Sequence, residues 1–317
     1  MSEFSLIQRY FTRPTPNATL GVGDDAALLR VSNGMELAVS TDMLVSGTHF
    51  FHDADPYLLG HKALAVNLSD MAAMAAQPRW ATLALSLPKQ DEAWLEKFSA
   101  GFFALADKYQ VELVGGDTTK GSLNLCVTIM GEVPSGKALR RDGAQINDEI
   151  WVSGKLGDAA LALAHMQGKV ILSDENLTAV TAALHRPEPR VALGLALRGL
   201  ANSAIDLSDG LLADLGHILD QSSVAAEIQF AALPVSNYLV PYISHDLGVQ
   251  CALAGGDDYE LCFTAPVACH AELKILAIQL DLALTCIGRI VAGSGCVVRA
   301  VDGTMLTLKE TGYDHFK

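Results

Sequence analysis

A chain of 317 residues is long for one hydrophobic core, and two domains are the expectation. Hydrophobic residues make up 50% and charged residues 18%, yet no apolar run approaches the ~20 residues of a membrane-spanning helix. The apolar runs 63–76 and 191–204 are broken by Asn67, Asp70, Arg198 and Asn202, so no membrane association is expected. A net charge of −14, from 22 basic against 36 acidic residues, with no basic cluster larger than Arg140-Arg141, argues against a nucleic-acid partner.

The chain opens on Met1-Ser2-Glu3-Phe4, without a basic start followed by an apolar stretch, and a cytoplasmic protein is expected. Residues 3–10 read as a short amphipathic helix with Phe4, Ile7 and Phe11 on one side. After a Pro- and Thr-rich loop over 12–19, strands are predicted at 26–31 and 35–41, joined by an Asn33-Gly34 hairpin turn. Asp55-Pro56 starts a helix, with Asp as N-cap and Pro at the first helical position. A strand at 82–87, a helix from about 91 to 109 and strands at 111–114 and 123–133 follow.

Residues 134–148 are polar, carry turn residues at both ends and separate two apolar regions, which marks a linker. The expected division is an N-terminal domain over 1–138 and a C-terminal domain over 149–317. Beyond the linker a strand is predicted at 149–153, then helices to about 200 with a break at His185-Arg-Pro-Glu-Pro189. A strand at 203–207 leads into a helix from Asp209. Strands and helices alternate in both halves, the pattern of an α/β or mixed α+β protein. The six cysteines are dispersed, with no C-x-x-C pair and no His at zinc-finger spacing, so free thiols are expected.

Aspartates recur at the ends of apolar runs: Gly21-Val-Gly-Asp-Asp25, Ser40-Thr-Asp42, Asn67-Leu-Ser-Asp70, Gly115-Gly-Asp117, Asp206-Leu-Ser-Asp-Gly210 and Gly255-Gly-Asp-Asp258. A strand that ends in Gly, Ser or Thr and then Asp sets a carboxylate at the rim of a sheet. Hard divalent cations take such oxygens, and adjacent glycines let backbone N–H groups approach a phosphate. Taken singly, each segment reads better as an ordinary turn, and Asp209 as a helix N-cap. Their recurrence favours a shared acidic site.

No P-loop G-x-x-x-x-G-K-[ST] occurs, so positive charge for a nucleotide has to come from bound metals and a few basic residues, of which Lys62, Arg140 and Arg141 are available. There is no G-x-S-x-G elbow, no H-E-x-x-H, no G-x-G-x-x-G opening a helix and no protein-kinase motif set. The pattern suits Mg²⁺-dependent phosphoryl transfer from ATP, with a metal site and ordinary turns about evenly balanced on the residues alone.

Gly21-Val-Gly-Asp-Asp-Ala-Ala-Leu28, Lys62-Ala-Leu-Ala-Val-Asn-Leu-Ser-Asp70, Gly115-Gly-Asp-Thr-Thr119, Ile205-Asp-Leu-Ser-Asp-Gly210, Gly255-Gly-Asp-Asp-Tyr-Glu-Leu261 and the closing Gly312-Tyr-Asp-His-Phe316 occur together and in this order. In this the chain resembles the thiamine-monophosphate kinase family, within the superfamily of aminoimidazole-ribonucleotide synthetase. The resemblance implies a two-domain fold whose N-terminal domains join strands into a barrel across a homodimer, with ATP in a cleft completed by the C-terminal domain. It implies transfer from ATP to thiamine phosphate, giving thiamine diphosphate, without a phosphoenzyme.

By the same resemblance Asp25, Ser40, Thr41, Asp42, Asp70, Asp117, Asp206 and Asp209 are the expected positions for several Mg²⁺ ions. Gly116, Asp117, Arg141 and Ser208 are expected at ATP, and His49, Asp257 and Tyr313 at thiamine phosphate. Position 257 is Glu in the family pattern; Asp257 keeps the charge with a reach shorter by roughly one C–C bond. Two rival readings remain: a related superfamily reaction that activates an amide oxygen, and an acidic metal-binding scaffold without turnover. The first cysteine, Cys126, lies too far along the chain for the N-terminal reactive Cys of selenophosphate synthetases.

Overall fold

A computed structural model describes residues 2–300, 302–306, 308 and 312–313, so residues 314–316 of the family-like tail lie outside it. The chain divides into two compact units, one running to Met71 and resuming over Ala76–Gly136, the other comprising Ala72–Ala75 and the chain from Lys137.

In the first unit, α1 (Glu3–Tyr10) starts at the N-cap Ser2, whose side chain accepts from the Ser5 N–H. Next come β1 (Met35–Val45), α2 (Pro56–Ala73), β2 (Gln77–Leu87), α3 (Glu92–Tyr109), β3 (Glu112–Lys120) and β4 (Asn124–Pro134). Asp55 caps α2 as expected, accepting from the Leu58 N–H at 3.0 Å. The four strands form one sheet in the order β1-β4-β2-β3, with β2 and β3 parallel and the other pairs antiparallel.

Residues 26–31 are not a strand. Leu28 bridges to Leu20, and Asn33-Gly34 makes a turn closed by Met35 N–H to Ser32 C=O, after which β1 pairs with distant β4 rather than folding back. The turn signal is real, but the apolar face of β1 matches β4 better than the short preceding run.

Directly paired residues share a face of a sheet. Leu83 with Val127, Leu85 with Leu125 and Ala81 with Ile129 therefore form one buried face. The other face carries Ala84 on β2 and exposes Leu37, Val39 and Met43 on β1. Helices α2 and α3 come close enough at Gly60 and Gly101 for backbone contact. A Cβ on Gly60 would collide with the Phe98 carbonyl, and one on Gly101 with the Tyr57 carbonyl.

The second unit holds β5 (Glu149–Ser153), α4 (Asp158–Met166), α5 (Asp174–His185), α6 (Val191–Ala196), β6 (Ser203–Asp206), α7 (Leu211–Ser222), β7 (Ala225–Gln229), α8 (Asp246–Ala254), β8 (Leu261–Ala265), α9 (His270–Gln279), β9 (Leu284–Val291), β10 (Gly295–Arg299) and β11 (Met305–Leu306). Its sheet runs β11-β10-β7-β9-β5-β8-β6. A core of Ile150, Val152, Leu161, Leu215, Ile218 and Ile287 packs between sheet and helices. The helix expected from Asp209 begins at Leu211, with Gly210 at the N-cap position. Among the described residues no helix is long and apolar enough to cross a membrane.

Candidate active site

Ser40 and Asp42 alternate with Thr41 along β1 and pair with Ile129 and Val127, which places both on the buried face of the first sheet. Asp70, on α2, meets them there: the Ser40 hydroxyl donates to its carboxylate at 2.5 Å. Burial first, then the charge of Asp70 and a hydrogen bond with it, push the Asp42 carboxyl up to about 7. Two carboxylates and a hydroxyl in a half-buried corner offer only oxygen donors, and a divalent cation would offset the burial and the repulsion that raise the Asp42 carboxyl. The donor set fits Mg²⁺.

Thr41 does not join this group through its side chain. Strand alternation turns it to the opposite face, where its hydroxyl is 2.8 Å from that of Thr128. Among the described residues no three His, Cys, Asp or Glu side chains gather into a closed metal cage. Mg²⁺ is commonly held by one or two carboxylates with phosphate and water completing the shell, so a pair suffices.

A cavity of about 590 Å³ opens in the same unit, walled by Asp24, Asp25, Gly115, Gly116 and Asp117 and by Ile7 of α1. Gly116 is tied to its neighbour: a Cβ there would collide with the Leu83 carbonyl. Gly116 pairs with Leu83, Leu83 with Val127 and Val127 with Asp42, so Gly116 and Asp42 lie on one transverse row of the sheet. Three strand spacings separate them, ~14 Å. Asp25 and Asp117 thus belong to the cavity, while Asp42 and Asp70 form a second cluster on the same sheet. His49 follows β1; its Nδ1 accepts from the Val45 N–H at 3.0 Å, which leaves the proton of the neutral ring on Nε2.

In the second unit the segments 206–210 and 257–260 lie side by side, extending the β6–β8 ladder. Leu207 N–H donates to Glu260 C=O, Tyr259 N–H to Leu207 C=O, and Asp257 N–H to Ser208 C=O at 2.9 Å. Tyr313 N–H donates to Asp209 C=O at 3.1 Å. Asp206, Ser208, Asp209, Asp257 and Tyr313, expected at the site in different roles, are thereby brought together.

Arg141 is not among them. Its carbonyl accepts from the Ser222 hydroxyl at the far end of α7, a helix of 12 residues that rises about 18 Å. Arg140 is occupied by Asp142 at 2.6 Å, and Lys62 is buried on α2.

Sequence reasoning missed the residues that hold these loops. Asp214 accepts from the Asp209 and Gly210 N–H groups at 3.0 and 3.1 Å, and burial pushes its carboxyl up to about 7. Asp258 is half-buried on Gly157, and Glu260 is buried on Arg190 and Ser153. Asp214 stands five residues beyond Asp209, in the first turn of α7, and an acidic residue at a helix N-terminus is the signal that could have found it.

The profile of AIR synthase related proteins, N-terminal domain, matches residues 23–133, and this places the first unit in that class. The whole chain is 49% identical over 320 residues to the thiamine-monophosphate kinase of Escherichia coli, covering 99% of this chain and 98% of that protein. The solved thiamine-monophosphate kinase of Stenotrophomonas maltophilia superimposes with a TM-score of 0.88 at 50% identity, covering 96% of this chain and 98% of that one. AaThiL complexed with AMPPCP and TMP superimposes with a TM-score of 0.78 at 32% identity, covering 90% and 89%. The chain belongs to the thiamine-monophosphate kinase family.

Proposed function

We propose that this chain transfers the γ-phosphoryl group of ATP to thiamine phosphate, giving thiamine diphosphate and ADP. The observation that carries the proposal is 49% identity along 99% of the chain to a thiamine-monophosphate kinase. The relative complexed with AMPPCP and TMP supports the same pair of substrates.

In the first unit Asp42, Asp70 and Ser40, and Asp25 and Asp117 of the cavity, would hold Mg²⁺; in the second unit Asp206 and Asp209 would do so. When bound, Mg²⁺ supplies neutralisation of the phosphate oxygens. Gly116, with its backbone bare of a side chain, and Ser208 are assigned to ATP, and Arg141, at the far end of α7 from Ser208, would reach only a distant part of the nucleotide. His49, Asp257 and Tyr313 are assigned to thiamine phosphate. His49 would offer Nε2–H as a neutral donor, and the Tyr313 ring suits the cationic thiazolium.

The attacking oxygen is on the substrate's phosphate, already ionised near neutral pH, so no general base is needed. The new P–O bond forms as the bond from the γ-phosphorus to the bridging oxygen breaks, and ADP leaves with the electron pair. The chain's contribution is to orient two anionic groups toward each other.

A homodimer and a cytoplasmic location belong to the same reading. Edge strand β1 bears Leu37, Val39 and Met43 on its open face, an apolar row suited to a second copy. Incubation with ATP, Mg²⁺ and thiamine phosphate, followed by chromatography, tests the activity. Thiamine diphosphate is expected; ADP formed only with other acceptors, or no ADP at all, would overturn the proposal.

A further inference from the structure

Two residues of the loop leading into β8, Asp257 and Tyr259, hold left-handed backbone with φ of 69° and 50°. A residue with a Cβ adopts that region only when its surroundings enforce it. The alternate residues, Asp258 and Glu260, supply the enforcement from inside the second unit. Both carboxylate oxygens of Asp258 accept from the Gly157 N–H, at 3.0 and 2.9 Å. Glu260, only 6% exposed, accepts from the Ser153 hydroxyl at 2.5 Å and from Arg190 through two parallel bonds of 2.7 and 2.5 Å. The Ser153 oxygen in turn accepts from the Leu261 N–H at 2.9 Å, so the start of β8 is tied to the same group.

This is an unusual use of a buried ion pair. Arg190 and Glu260 lie 70 residues apart in sequence, in no catalytic motif together, and a buried pair seldom adds stability over apolar packing. What it does add is geometry, because a planar guanidinium on a carboxylate fixes orientation as well as distance. The facing loop 206–210 has an anchor of its own in Asp214, through the N–H groups of Asp209 and Gly210. The Arg190–Glu260–Ser153 group therefore acts directly on the 257–260 loop, and on 206–210 only through the backbone ladder that joins the two.

We propose that Arg190, Glu260 and Ser153 are positioning residues for the second substrate: they clamp the β8 loop so that Asp257 is presented to thiamine phosphate, while Asp214 gives the facing loop a second anchor of its own. This rests on the assignment of Asp257 as a substrate contact.

The test is a double-mutant cycle on the full chain, with KM and kcat measured for each substrate while the other and Mg²⁺ are saturating. Glu260→Gln keeps an acceptor for Ser153 and removes the charge that Arg190 requires. Its KM for thiamine phosphate should rise ~tenfold and its KM for ATP less than about twofold, a coupling in the range seen for contacting residues. In an Asp257→Ala background the same substitution should add nothing further to the thiamine phosphate KM. An undiminished effect in that background, or an equal rise in both KM values, overturns the positioning role. A normal KM for thiamine phosphate in Asp257→Ala alone removes the underlying assignment and the inference with it. A raised KM there together with a normal KM in Glu260→Gln removes only the clamp. If Glu260→Gln does not fold, Arg190→Lys, which keeps charge but loses the fork, runs the same cycle with the same expected and overturning results.

Discussion

Asp42 and Asp70 set two carboxylates in one half-buried corner, and each should answer differently to change. Asp70→Asn removes a charge and leaves the shape, so turnover at saturating Mg²⁺ should fall about a hundredfold, the size of loss when one preorganised electrostatic contact is deleted. Circular dichroism should stay unchanged; near-normal turnover would end the ligand assignment. Asp42 predicts a pH effect with a definite sign. A cation binds its ionised form, and its carboxyl titrates near about 7 without metal. Below that value a proton competes, so apparent Mg²⁺ affinity should rise with pH, by about tenfold per unit, and level off above it. Mg²⁺ titrations of the rate at about pH 6 and about pH 8 check this, and equal half-saturation at both would refute it. The Gly-Asp and Ser-Asp punctuation made most of these aspartates legible in sequence. The two-residue period of a strand turns the Thr41 side chain away from Ser40 and Asp42, so that only its backbone faces their corner.

At the scale of elements, the contact of α2 with α3 at Gly60 and Gly101 gives a test in which two effects compete. Alanine is a better helix former than glycine by about 1 kcal/mol. Against this, forcing a methyl into a backbone contact costs about 1–3 kcal/mol. Because the obstacle at Gly101 is the Tyr57 carbonyl, which cannot swing aside like a side chain, the cost should win and Gly101→Ala should destabilise. Urea unfolding followed by the fluorescence of Trp94, stacked on Phe98 at 4.9 Å, measures it, and a stabilised variant would contradict the packing account. Elements with local signals were readable: residues 3–10 and 149–153 are α1 and β5, and Asp55 is a cap. The expected strand at 26–31 failed because pairing partners are chosen across the fold, and β1 finds its partner in β4. Glu260 stood in the family-like motif 255–261, but its pairing with Arg190 left no trace, since a lone arginine in sequence looks the same whether or not a carboxylate faces it.

At the scale of the whole molecule, the open face of β1 is the feature with the largest consequence for assembly. Val39 is 56% exposed at the centre of an apolar row on an edge strand. Sedimentation should show the unaltered chain as a dimer, and Val39→Glu should shift it toward monomer by placing a charge in the interface. A monomer at every concentration would remove the homodimer from the proposal.

The pairing of Met35 with Pro134 has a further consequence, in the order of events at the ribosome. β1 emerges early, yet the strand it needs is made about a hundred residues later, roughly 5–20 s at ordinary rates of synthesis. Through that interval Leu37, Val39 and Met43 stand on a strand with neither edge satisfied. The nascent chain is therefore at greatest risk of aggregation before β4 appears, and a chaperone at the tunnel exit has its clearest client in the first half of this protein.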